Sequence, residues 1–451
     1  MRAILTALCR LLLRIFFRRI EVVGGERVPD AGPVLYVLNH PNGLLDPLFI
    51  LCLSPRPVTF LAKAPLFHTF LIKHFVRAFE CLPVYRAVDG EDPSKNRASI
   101  EASIAGLGKG RALALFPEGK SHSEPWIEPL KTGAARIALS ASASSEPVRI
   151  VPVGLDYSAK TTFRSHALLI YGEPIVTPKI DLDAEYRPPE DAAEELTEAI
   201  ADALARVTLQ AREAEAITLA RDARRIWAAS ERDLTGDHAS PDEDEDDSEA
   251  AQTRFELEYR LLAGHAELRE RAPAQLDAVI ARIRRYQAEV ALLGLAIDQP
   301  ARQRRRELFR ELAILPLLAP FALIGKIVHA PAYRLIDWVA HRMAKQAAEV
   351  LATIKLTAGL LFFPATWVLM MIAVGQTSGW KLGLASLLVL PVCGWAALRF
   401  SERTSALIDR GRAAWILLTR RDVSGWLVRE RAAIRAALLE LADRLAARVG
   451  S

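Results

Sequence analysis

Residues 356–380 form a run of 25 without one charged side chain, and residues 382–398 add 17 more, with only Lys381 between them. At ~1.5 Å per residue the first run is long enough to cross a hydrocarbon core of ~30 Å. A segment surrounded by lipid must satisfy its backbone internally, so the form it takes is a helix. The two runs predict a transmembrane hairpin within residues 351–400, turning at the Ser-Gly-Trp-Lys of residues 378–381. Pro364 and Pro391 are tolerated inside such helices. Arg342, Lys345 and Lys355 precede the pair and Arg399, Arg403, Arg410 and Arg412 follow it, which puts both outer ends on the cytoplasmic side. Buried helices of a soluble domain are the competing reading.

Just upstream, residues 312–325 are apolar but only 14 long, and Pro316 and Pro320 break them. That length predicts an interfacial or re-entrant segment, within 312–350, rather than a third span. Residues 401–451 read as amphipathic helices. At the other end, Arg10, Arg14, Arg18 and Arg19 interrupt what would be the apolar core of a secretory signal. Residues 1–23 therefore read as an amphipathic basic helix lying in the membrane surface, or equally as one packed on its own domain.

The net charge of +4 over 451 residues conceals segregation: residues 242–247 read DEDEDD and residues 302–306 read RQRRR. Residues 236–250 hold eight acidic side chains and no Lys or Arg, so 231–251 is expected to be an acidic disordered linker and 252–311 a charged helical segment. Cys9, Cys52, Cys81 and Cys393 are scattered without paired spacing, which argues against a disulfide framework or a zinc cluster and for a reducing compartment. No metal, redox cofactor or nucleic-acid partner is indicated.

Residues 24–230 have α/β patterning. PVLYVL before Asn39, RALALF before Pro117 and VRIVPVGLDY from Val148 read as short buried strands. Between the first two, Ser94 is an expected N-cap and Ile100, Ile104 and Leu107 mark a helix's apolar face, while Leu196, Ile200, Leu204 and Val207 mark another after Pro188 and Pro189. The expected fold is a mixed, largely parallel sheet flanked by helices, followed by a helical region with a C-terminal transmembrane hairpin.

Two motifs follow expected strands. VLNHPNGLLDP holds His40 and Asp46: an imidazole takes a proton near neutral pH, and a carboxylate on its other nitrogen fixes the tautomer and stabilises the imidazolium. Asn42 could simply cap the next helical turn. LFPEGKSHSEP holds a Pro-Glu-Gly turn in which Gly119 lets the backbone approach a ligand and Glu118 can accept hydrogen bonds from hydroxyls. His122 is a rival base.

Taken in order, these motifs resemble the glycerophospholipid acyltransferases, the superfamily of lysophosphatidate and glycerol-3-phosphate acyltransferases. The corresponding stretches are NHPNGLLDP, ECLPVYR ending at Arg86, FPEGKSH, and IVPVGLDY containing Pro152. The long insert and the apolar tail look like the fungal-type glycerol-3-phosphate and dihydroxyacetone-phosphate acyltransferases and their bacterial relatives. So do the Ser-His continuation and the five residues between His40 and Asp46, where most of the superfamily has four. Glu80 stands where the second block usually has glycine. The resemblance implies a membrane-bound O-acyltransferase of phospholipid synthesis, and the lysines and arginines flanking the hairpin imply a cytoplasmic catalytic domain. His40 would be its general base, oriented by Asp46. The donor would be acyl-CoA or acyl-carrier protein, the acceptor glycerol-3-phosphate or a lysophospholipid; Arg86 would bind the acceptor phosphate, and Glu118 and Gly119 would line the acceptor pocket. Lys63 and Lys131 are further cations that could bind substrate, or simply solvated lysines. A catalytically silent phospholipid-binding scaffold is the alternative of another class.

Overall fold

Helix α1 (Arg2–Phe16) buries Cys9, Leu13 and Phe16 and leaves Ile4, Leu8, Leu11 and Ile15 exposed. The computed structural model describes residues 2–43, 45–69, 72–86, 90–235, 248–300, 305–344 and 348–449. The expected basic helix over 1–23 stops at Phe16. Arg19–Val23 is strand β1, because its β-branched residues pair with a neighbouring strand and bury Val23. Arg18 consequently lies outside the helix, and its backbone N–H donates to the Ser165 carbonyl at 2.8 Å.

The elements that follow are β2 (Val34–Leu38), α2 (Leu45–Leu53), β3 (Val58–Lys63), α3 (Ile72–Ala78), β4 (Leu82–Val84), α4 (Asn96–Gly108) and β5 (Ala112–Leu115). Then come α5 (Gly133–Ser144), β6 (Arg149–Tyr157), β7 (His166–Tyr171), β8 (Ile175–Val176) and α6 (Glu190–Arg206). The strands form one sheet in the order β1-β7-β6-β2-β5-β3-β4, with β8 beside β6. β6 runs antiparallel to β7 and β8, and every other pairing is parallel. The expected mixed, largely parallel sheet is therefore present. All five residues of β2 are buried, as a central strand covered on both faces requires. The parallel order places the carboxyl ends of β2, β3, β4, β5 and β6 along one edge.

Helix α6 buries Leu196, Ile200 and Leu204 and is followed by buried Val207, as the spacing predicts. Helix α4 differs from expectation. It buries Ser99, Ser103 and Leu107, while Ile100 is 42% exposed. The Ser103 hydroxyl satisfies itself on the Ser99 carbonyl at 2.7 Å, so a hydroxyl face can pack where an aliphatic one was expected. Ser94 caps nothing: it sits in a short 3₁₀ turn bonded to Asp92.

The remaining elements among the described residues are helices: α7 (Ala214–Thr235), α8 (Ser248–Arg271), α9 (Pro273–Leu293), α10 (Arg305–Ala344), α11 (Ala348–Ser378), α12 (Trp380–Thr419) and α13 (Arg421–Val449). The chain divides into two compact units. One comprises Met1–Arg212, Asp246–Phe255 and Ala344–Leu356, and the other Glu213–Glu245, Glu256–Met343 and Thr357–Ser451. The acidic run at 236–247 lies outside the described residues; helices α7 and α8 flank it.

Among the described residues three helices are long and apolar enough to cross a membrane: Glu311–Met343, Thr353–Ser378 and Trp380–Thr419. Residues 312–325 are thus part of a longer helix, α10, which continues through Pro316, Pro320 and Pro331. A proline inside an apolar helix is tolerated when neighbouring elements re-satisfy the freed carbonyls. Gly325 allows α10 to meet α12 closely, since a Cβ there would lie 2.0 Å from the Cys393 carbonyl oxygen. His329 donates from Nδ1 to the Gly325 carbonyl at 2.8 Å and accepts Trp367 Nε1–H at 2.8 Å, so α10 and α11 are bonded with both imidazole nitrogens satisfied.

Candidate active site

The carboxyl end of β2 delivers Asn39 and His40, and the short turn that follows leads into α2. Asn39 is used structurally, exchanging two hydrogen bonds with the Leu155 main chain of β6 at 3.0 and 2.8 Å. His40 and Asp46 meet: Nδ1 lies 2.8 Å from Asp46 Oδ2, with His40 6% exposed and Asp46 fully buried. The backbone N–H of Asn42 also donates to Oδ2, at 2.7 Å. That turn absorbs the five residues between the pair. The Asn42 side chain does not cap α2; its amide donates to the Lys160 carbonyl at 3.1 Å.

Asp46 is an acceptor on Nδ1, so the neutral imidazole carries its proton there and its lone pair on Nε2. The ring is held in plane by Phe116, stacked at 3.6 Å between centroids with an interplanar angle of 1°. Phe116 in turn leans on Phe60 at 5.0 Å.

The Phe-Pro-Glu-Gly turn follows β5, the strand hydrogen-bonded to β2. This register brings it beside His40. Glu118, 3% exposed, accepts the His40 N–H at 3.0 Å through Oε1 and the Glu128 N–H at 2.8 Å through Oε2. His122 Nε2 also bonds Oε2. The His122 N–H returns to the His40 carbonyl at 3.2 Å. Glu118 is expected to accept substrate hydroxyls; in the structure its two oxygens accept three donors of the chain itself.

Gly119 has φ +75°, a left-handed conformation that glycine adopts without strain. A Cβ at that position would come within 2.8 Å of Lys131 Nζ, so the ammonium lies directly over the turn. Arg86, which follows β4, donates from NH1 to the Gly119 carbonyl at 2.7 Å. Arg86, Gly119 and Lys131 are therefore brought together. Lys63 ends β3 in register with Val84 of β4, on the same edge of the sheet. Lys160 closes another side, its Nζ donating to Ser123 Oγ at 2.7 Å and to the Pro41 carbonyl at 3.3 Å.

Sequence reasoning missed Tyr157. Its hydroxyl donates to Asp46 Oδ1 at 2.6 Å. Burial, and then the charge of Asp46, push its pKa well above the usual tyrosine range. The available signal was period-two spacing: Val151, Val153, Leu155 and Tyr157 share the apolar cluster on one face of β6.

Residues 19–156 match the family model described as Acyltransferase. An uncharacterized acyltransferase of Schizosaccharomyces pombe is 26% identical over 306 residues, 48% of this chain and 45% of that protein. Glycerol-3-phosphate O-acyltransferase 1 of Saccharomyces cerevisiae is 36% identical over 126 residues, 27% of this chain and 16% of the yeast protein. A probable 1-acyl-sn-glycerol-3-phosphate acyltransferase of Mycoplasma pneumoniae is 32% identical over 138 residues, 30% of this chain and 49% of that one. The chain spans about half the length of these curated relatives, or less. The resemblance carried by the motifs holds over the matched domain.

Proposed function

We propose that this chain, whose residues 19–156 form an acyltransferase-family domain, is a membrane-bound O-acyltransferase moving a fatty acyl group from a thioester to a glycerol-3-phosphate-type acceptor. The observation that carries the reading is the 2.8 Å contact between His40 Nδ1 and buried Asp46, which leaves Nε2 as the basic atom. Nε2 takes the proton of the acceptor hydroxyl as that oxygen attacks the thioester carbonyl. The new C–O bond forms, the C–S bond breaks, and the departing sulfur receives the proton back from the imidazolium. Asp46 stabilises the imidazolium meanwhile, and no acyl-enzyme is needed. The donor is acyl-CoA or acyl-carrier protein.

Arg86 and Lys131, converging on Gly119, supply the charge for the acceptor phosphate, and Lys63 stands further along the same edge. Glu118 serves by holding the turn and the His40 loop in one arrangement rather than by direct contact.

A membrane location suits the product, whose chains each gain ~0.8 kcal/mol per methylene on entering lipid. The three long apolar helices supply an anchor. The exposed stripe of Ile4, Leu8, Leu11 and Ile15 on α1, with Arg10 and Arg14 beside it, supports contact of the catalytic domain with the lipid surface. Read as a hairpin of α11 and α12, with α10 lying at the interface, the lysines and arginines on either side of the pair support the cytoplasmic side for that surface.

A second reading, a lysophosphatidate acceptor, is favoured by the name of the Mycoplasma relative. Membranes carrying the protein, labelled acyl-CoA and a panel of acceptors decide between them by the product formed. In the same assay His40→Ala should lower transfer by roughly 100-fold or more. Undiminished transfer by that variant would reject the mechanism.

A further inference from the structure

Asp46 presents two oxygens to three donors. Oδ2 takes His40 Nδ1–H and the Asn42 N–H, whereas Oδ1 takes the hydroxyl of Tyr157 at 2.6 Å, 111 residues away. Tyr157 is the last residue of β6 and lies just beyond the stretch matched by the family model. Its ring is stacked on Phe17 at 5.7 Å and set edge-on to Phe49 at 5.8 Å, so the hydroxyl has little freedom to turn elsewhere.

We propose that Tyr157 is a positioning residue for the general base: by holding Asp46 Oδ1 it fixes the carboxylate plane, aims Oδ2 at His40 Nδ1, and sets the pH at which the imidazole can act. The proposal rests on the reading of His40 as base. A carboxylate shares its charge among its donors, and a strong bond at one oxygen weakens the pull of the other on the imidazolium. Burial keeps the phenol protonated, so the donor persists through the neutral range. Other charged or titratable groups face the same assembly. Glu118 lies at the His40 N–H, His122 on Glu118, Lys160 at the Pro41 carbonyl and Asp156 beside Tyr157. Among the described residues Tyr157 is the donor to Oδ1.

The test is Tyr157→Phe in the full chain, held in detergent or nanodiscs. Without the hydroxyl, Asp46 holds the imidazolium more tightly, and the base stays protonated to higher pH. Turnover should fall by roughly tenfold, the scale of a lost hydrogen bond to a charged group, with KM for both substrates within twofold. The acid limb of the pH–rate profile should move to higher pH. The Nδ1 proton of His40, identified by its disappearance in His40→Gln, should resonate further downfield. Phe49→Leu, which loosens the ring but keeps the hydroxyl, should lower stability and leave limb and resonance in place. The proposal is overturned if Tyr157→Phe leaves turnover, limb and resonance unmoved, or if Phe49→Leu moves them equally. The proton signal is readable even where no His40-dependent transfer is seen, so failure of the acyltransferase reading is distinct from failure of this one.

Discussion

The side chain of Glu118 accepts the backbone N–H of His40 at 3.0 Å, across 78 residues of chain. Through that bond the loop after β2 and the turn after β5 are a single structure, and the position of the imidazole depends on a carboxylate that never meets it side chain to side chain.

Glu118→Gln tests this dependence. One amide position must be an NH₂ group, so either the His40 N–H or the Glu128 N–H faces another donor, whichever way the amide is turned. A buried unsatisfied N–H costs about 1–3 kcal/mol. The expected result is a clear drop in thermal midpoint together with a loss of acyl transfer, followed by melting and a labelled-substrate assay on one preparation. An unaltered midpoint with full transfer would show that the network does not hold the loop.

Glu80 has φ +54°, inside the left-handed region, at the position where the second sequence block usually has glycine. The departure seen in the sequence therefore has a physical counterpart: the backbone adopts the glycine conformation and the side chain bears the strain. The ion pair that Glu80 makes with Arg111 spans 3.2 Å between side chains each more than half exposed, so it offsets little. Glu80→Gly is expected to raise stability by about 0.5–1 kcal/mol without changing transfer, and Glu80→Val, with branching at Cβ, to lower it. Melting curves of the three proteins decide, and a destabilised glycine variant would contradict the account.

Cys81 gives a pH dependence with a definite sign. Burial raises its thiol from 9.0 to about 11. Between those values the unfolded chain has lost the proton and the folded one retains it, so rising pH favours unfolding. The contribution is fully present below pH ~9 and is lost toward pH ~11, and it amounts to roughly 2–3 kcal/mol when complete. Tyr36, Tyr157 and Tyr171, also raised chiefly by burial, add to the same trend above pH ~10. Thermal midpoints recorded from pH 8 to 11 should decline, and Cys81→Ala should decline less steeply. Parallel slopes for the two proteins would remove Cys81 from the explanation.

Much of the fold was legible because its signals are local. Strands β2, β5 and β6 stand where aliphatic runs end in turn residues, and the face of α6 follows its 3.6-residue period. Strand β1 is the exception, a short RIEVV separated by two residues from the end of a helix. It is a strand because it pairs with β7, 147 residues away from Arg19 at His166, and an edge pairing of that kind is decided only once the chain has folded. The same applies to residues 312–325. Read alone they are too short to span a membrane, yet in the structure they continue into one helix reaching Ala344.

At the site, the sequence by itself determined which chemical groups were available: an imidazole and a carboxylate six residues apart, a Pro-Glu-Gly turn behind a second strand, a scatter of cations, and enough uncharged chain to reach across lipid. Residue type and short-range spacing suffice for that, since backbone periodicity and side-chain ionisation are properties of a few neighbouring residues. Tertiary structure alone decided which oxygen of Asp46 faces His40, that Glu118 accepts the His40 N–H, that Arg86 and Lys131 arrive together at Gly119, and that Tyr157 reaches Asp46. The bonds from His40 to Glu118, from Arg86 to Gly119 and from Tyr157 to Asp46 are directional contacts of about 3 Å between distant segments, and strand order and register, absent from any local pattern, set which distant segments meet.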